Sequence, residues 1–176
     1  KNYINPEKEV STAEDALNGA KDILAESVSD NADFRTHIRE LTMKHGQLLS
    51  AAKDPEAESV YEMYYEFSES LSKLAGHRIL AISRGEKEKF LTVKIDAPVD
   101  RILSYLDRKL ITAPSAPTAA VLHEVTEDAY NRLIAPAIER EIRSDLFEKA
   151  EDGAIRVFGK NLEQLLMQPP IAGKVV

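Results

Sequence analysis

No cysteine and no tryptophan occur in this sequence. Disulfides are therefore excluded, together with thiolate metal sites and thiol nucleophiles. A cysteine-free chain fits a reducing compartment, and the expected location is cytoplasmic. No apolar run approaches the ~20 residues that span a bilayer. The first residues, KNYINPEKEV, hold no apolar core of a signal peptide, so no membrane partner is expected. Glycine is sparse, seven residues in 176. Its one phosphate-loop candidate, RGEKE, supplies a single glycine where backbone cradling of phosphate needs several at fixed spacing. No Gly-x-Ser-x-Gly elbow is present. The four histidines, His37, His45, His77 and His123, include no pair three or four residues apart. No helix face therefore offers two imidazole ligands. No cofactor and no metal are expected.

Positive charge is also in short supply. Lys and Arg number 23 against 30 Asp and Glu, a formal net charge of -7. Such a chain is a poor general binder of polyanions, because phosphate affinity comes from cations displacing counterions. The charge is uneven. Residues 1–70 hold fifteen acids and seven bases, whereas residues 71–95 hold six bases and two acids. Any direct contact with RNA or DNA should fall in the second stretch. Its centre, HRILAISRGEKEKF, offers Arg78, Arg84, Lys87 and Lys89 as candidate nucleic-acid contacts. The leading expectation is instead a helix-to-strand join, in which Arg78 and Arg84 pair with acids of the first half and fix the ribbon to the bundle.

What is abundant is helical period. Ser11 with Glu14 forms the pattern of a capping box, ahead of a stripe of Ala13, Ala16, Leu17, Ala20, Ile23, Leu24 and Val28. Phe34, Ile38 and Leu41 mark a second helix that stops at Gly46. Asp54 and Pro55 open a third, running through VYEMYYEFSESLSKLA to Gly76, with Tyr61, Tyr64, Tyr65 and Phe67 as core aromatics. Ile79, Leu80 and Ile82 fit one or two turns closed by Gly85. KFLTVKID alternates as a strand and needs a partner, for which GQLLSAAK is the nearest candidate. Pro98 starts a helix with Val99, Ile102, Leu103, Leu106 and Leu110 on one face. After the linker TAPSAPT, a stripe runs from Tyr130 through Ile134, Ile138, Ile142 and Leu146. It continues with Ala150, Ala154, Phe158, Leu162 and Leu165. Pro136 should interrupt this helix and Gly153 should weaken it.

The expected fold is mainly α: a multi-helix bundle with a small two-stranded β-ribbon and long C-terminal helices. Residues 1–112 form the bundle and ribbon, and 113–170 form a long helical segment, kinked near Pro136 and packed on the bundle. The closing IAGKVV reads as the first strand of a following, truncated domain at 171–176.

Carboxylates are plentiful but weakly patterned. Glu139 and Arg143 stand four apart as a stabilising helical pair. Glu141 and Asp145 are a like-charge pair that could seat a divalent ion in a nuclease, or simply face solvent. Glu56, Glu58 and Glu62 belong to an acidic first half that could dock on a basic protein.

Three blocks carry a resemblance: GAKDILAE, HRILAISRGEKEKFL, and the long run from DAYNRLIAPAIEREIRSDLFEKAEDGAIRVFGKNLEQLLMQPPIAGKVV. Together they resemble the bacterial Tex family of transcription accessory proteins, over essentially the whole chain. The resemblance implies a larger cytoplasmic protein whose helical region, of helix-turn-helix character, precedes a YqgF domain, helix-hairpin-helix segments and an OB-fold RNA-binding module. It implies nucleic acid as partner, mainly through those other domains, and association with the transcription machinery. It implies kinship with a eukaryotic elongation factor that travels with RNA polymerase. No catalytic residue carries over, so a non-enzymatic scaffold is the expectation.

Overall fold

The structure, a computed structural model, describes residues 12–168. Helix α1 (Ala13–Asp30) begins one residue later than the Ser11 pattern suggested. Thr12 is the N-cap: its hydroxyl accepts the Asp15 N–H at 3.0 Å, and its own N–H donates to the Asp15 carboxylate at 2.8 Å. A shorter acid at the third helical position closes the same reciprocal box. The buried face of α1 is rotated from the apolar stripe. Ala25, Val28 and Ser29 are buried, while Leu17, Ile23 and Leu24 stand exposed. Ion pairs fix this rotation, with Lys21 on Glu124 at 2.6 Å and Arg132 on Asp22 at 2.9 Å.

Asn31 closes α1 and caps α2 (Ala32–His45), accepting the Phe34 N–H at 3.1 Å. Ile38 and Thr42 are buried on α2, as its period requires. Gly46 does end it. A side chain there would meet the Thr42 carbonyl at 2.5 Å, so the chain turns where only hydrogen fits.

The sheet corrects two expectations. It has three antiparallel strands, β1 (Gln47–Ala52), β2 (Glu66–Ser70) and β3 (Leu91–Asp96), in the order β2-β1-β3. The pairing of GQLLSAAK with KFLTVKID is present, but β1 is central and has a second partner. That partner comes from the segment expected to be helix. Residues 55–75 instead form a short 3₁₀ turn (Glu62–Tyr64) followed by β2. The aromatic spacing that mimicked an α-helix is the three-residue period of this turn run into a strand. Tyr61 and Tyr64 are buried as expected, whereas Tyr65 and Phe67 are half-buried. Ala52 N–H bonds the Tyr65 carbonyl at 3.0 Å and Lys53 N–H bonds that of Phe90 at 2.9 Å, so both edges of the central strand are paired.

Helix α3 (Gly76–Lys87) begins at Gly76, which was expected to close a preceding helix. Gly85 lies inside it, two residues short of its end. Helix α4 (Val99–Leu110) starts after Pro98 and buries Ile102 and Leu106 as its pattern predicts. Helix α5 (Thr118–Asp128) passes directly into a π-helical turn (Ala129–Ile134) and then α6 (Ala135–Leu166). Pro136 would clash with the carbonyl four residues back. The widened turn absorbs this misfit: the Ala135 N–H bonds to Tyr130, five residues earlier. Gly153 does not interrupt α6. Its stripe is buried at Ile138, Ile142, Leu146 and Ala150 and exposed from Ala154 onward.

Two compact units arise, interleaved in sequence. The first, residues 12–48, 70–72 and 95–142, holds α1, α2, α4, α5, the π turn and the start of α6 around Ile38, Ile102, Leu106, Ile134 and Ile142. The second, residues 49–69, 73–94 and 143–168, holds α3, most of the sheet and the rest of α6 around Tyr61, Ile82, Leu91 and Val93. The expected opening of a following domain at 171–176 lies outside the described residues.

Candidate nucleic-acid interface

The four basic candidates belong to α3 and the turn that closes it. At 100° per residue, Arg78 and Arg84 point roughly 120° apart, so they do not share a face. Arg78 donates to Glu69 at 2.7 Å, and its guanidinium lies 5.8 Å from the Phe67 ring centroid. Both partners belong to β2, so this cation fastens the helix to the sheet. Arg84 donates through Nε to Glu88 at 2.9 Å, one helical turn on. The other oxygen of Glu88 accepts from the Tyr61 hydroxyl at 2.9 Å. These two donors hold the Glu88 carboxyl below its ordinary range, the Arg84 hydrogen bond contributing most. The Lys87 ammonium sits 5.0 Å from the Phe147 ring centroid. The expectation that both arginines pair with acids of the first half thus holds for Arg78, whereas the partner of Arg84 is local.

Lys89 differs from the other three. Among the described residues no ion pair or hydrogen bond engages its side chain. Its φ is +67°, the left-handed region that favours glycine. The backbone explains the position. The Phe90 N–H bonds Gly85 at 2.9 Å and the Lys89 N–H bonds Glu86 at 3.0 Å, the paired bonds of a Schellman close. A lysine there is conformationally costly, though its charge favours the carbonyl end of α3.

The other candidates are also engaged. Glu139 and Arg143 do not pair with each other. Glu139 accepts the Ile95 N–H at 3.3 Å, and Arg143 pairs with Glu86. Each has a stronger claim from a neighbouring element than from its own helix. Glu141 is taken by Arg35 at 2.5 Å. Among the described residues no three His, Asp or Glu side chains group as metal ligands. Glu56, Glu58 and Glu62 are exposed. No described helix is long and apolar enough to cross a membrane.

A second basic surface carries no motif and was not among the sequence candidates. His37, Asp100, Arg101, Tyr105 and Arg108 are among the residues that line a groove of about 590 Å³ in the first unit. The His37 ring lies 4.0 Å from that of Tyr105, and Arg108 caps the Ser104 carbonyl of its own helix at 3.1 Å. The available signal was the seven-residue spacing of Arg101 and Arg108, which places both on one side of α4.

Comparison with known proteins matches the chain to part of longer relatives. "Protein tex" of Bordetella pertussis is 35% identical over 190 residues, covering 99% of this chain and 24% of that protein. "S1 RNA-binding domain-containing protein 1" of Homo sapiens is 32% identical, covering 99% of this chain and 19% of that protein. "Transcription elongation factor SPT6 homolog" of Arabidopsis thaliana is 26% identical, covering 92% and 10%. The chain thus spans a quarter or less of the length of these relatives. The Tex central region-like family matches residues 1–158, and the chain belongs to that family.

Proposed function

We propose that this chain is the central helical scaffold of a longer, transcription-associated nucleic-acid-binding protein, and that it positions binding modules rather than gripping nucleic acid itself. The observation that carries the reading is the fate of the basic stretch. Arg78, Arg84 and Lys87 are spent on Glu69, Glu88 and Phe147. A cation already paired releases fewer counterions on meeting phosphate. Lys89 retains a free ammonium, enough for one weak contact. Family membership and the relatives' names support the association with transcription and RNA. Within each unit, the buried core and the ion pairs between elements suit a structural role.

The test is neutralisation in the full-length polypeptide that carries this sequence. Arg84→Gln together with Lys89→Gln should change the affinity for a single-stranded RNA oligonucleotide less than about twofold, since one exposed phosphate contact is weak at physiological salt. A tenfold or greater loss, with the fold intact by circular dichroism, would make this stretch a principal binding site and overturn the scaffold reading.

A further inference from the structure

In the last third of α6 an apolar side stays exposed, and among the described residues none covers it. Ile155, Phe158, Leu162 and Leu165 are 68%, 68%, 43% and 69% exposed. Their spacing of three, four and three residues is the seam of two successive heptads. Alongside lies an apolar groove of about 650 Å³ in the second unit. It forms where Gly76, His77 and Leu80 of α3 face Ala150, Gly153 and Val157 of α6. The groove leads into the seam through Phe158, which lines both.

Energetics demand a cover. A helical stretch of this length is marginal in water unless an apolar face is buried. Gly153 and Gly159 each weaken it further, by up to about 1 kcal/mol relative to alanine. Contiguous exposed apolar surface of this kind marks an interaction site in a soluble protein.

The geometry restricts the occupant. A three-four repeat is read by another helix, whose side chains enter the holes between turns. A second copy of this chain is a poor candidate. Two heptads fall short of the three to four that sustain a coiled coil. A helix of the same polypeptide needs no such length, because tethering raises its effective concentration to the millimolar range. The family match stops at residue 158, midway along the seam, while α6 runs on to Leu166. This chain covers only 24% of the Bordetella relative, so a polypeptide of that length holds ample sequence outside these residues to supply such a helix.

We infer that the Ile155–Phe158–Leu162–Leu165 seam and its adjoining groove dock an amphipathic helix supplied by the same polypeptide outside these 176 residues. This rests on the scaffold reading and gives it a mechanism, since the docked helix fixes a neighbouring module to α6.

The experiment replaces Phe158 with p-benzoylphenylalanine in the full-length polypeptide, irradiates it at low micromolar concentration, and maps the products by mass spectrometry. Phe158 is exposed, so the substitution leaves the core untouched. A monomeric product cross-linked from position 158 to one helical segment outside the 176 residues is expected. A cross-linked dimer, a cross-link to another protein only, or no cross-link would overturn the inference. These outcomes are independent of oligonucleotide affinity, so failure here and failure of the scaffold reading are distinguishable.

Discussion

Gly85 shows how one position can be legible as unusual and still be misread. Its place after an apolar run suggests a helix stop. In the structure it lies within α3, and a Cβ there would meet Leu91 Cδ1 at 2.7 Å and Tyr61 Cδ1 at 3.1 Å. Leu91 is fully buried and Tyr61 nearly so, so neither can give way cheaply. Alanine gains up to about 1 kcal/mol in helix propensity, while overpacking a core costs about 1–3 kcal/mol. Gly85→Ala should therefore lower stability by about 1 kcal/mol. At Gly153 nothing lies within 4 Å of the same added atom. Gly153→Ala should raise stability by about 0.5–1 kcal/mol. Urea denaturation of both variants reads the two signs, and equal signs would contradict the packing role of Gly85. The sequence could not distinguish these glycines, because both sit in helices and only the tertiary neighbours differ. The basic candidates follow the same rule. Arg84 and Glu88 are four apart and visible as a pair, but Arg78–Glu69 and Arg143–Glu86 depend on elements meeting in space.

Among the elements, α2 and α4 follow from their apolar spacing, and β1 and β3 from alternation and mutual need. β2 did not. EFSES lacks β-branched residues, and the preceding tyrosines fall at helical intervals. Its strand state is set by β1, whose second edge would otherwise go unpaired in the core. The end of α3 is tied to the 3₁₀ turn by Glu88, which accepts from both Tyr61 and Arg84. The depressed carboxyl pKa of Glu88 sets the sign of a pH effect. The folded state binds that proton less readily than the unfolded chain does. Its contribution to stability is thus present above the ordinary carboxylate pKa and is lost as pH falls through the lowered folded value. Wild type should be more stable than Glu88→Gln near pH 7, and the gap should close progressively below about pH 4. Thermal midpoints across that range measure it; a gap that stays constant to pH 3 would show that charge on Glu88 does not matter.

At the scale of the whole molecule, the acidic balance and the engagement of the central cations point the same way. Ion pairs join elements within each unit, with Arg35 on Glu141 and Lys21 on Glu124 in one and Arg143 on Glu86 in the other. The mainly helical class was legible because period survives in each helix. The interleaved units were not, since no linker in the sequence marks them. The most direct measurement is fluorescence anisotropy of one labelled RNA oligonucleotide. It is titrated with this chain and, separately, with the full-length polypeptide, from 50 to 200 mM salt. This chain should bind weakly and lose its binding across that range, with the affinity residing in the full-length protein. Tight binding by the 176 residues alone that survives 200 mM salt would contradict the central claim.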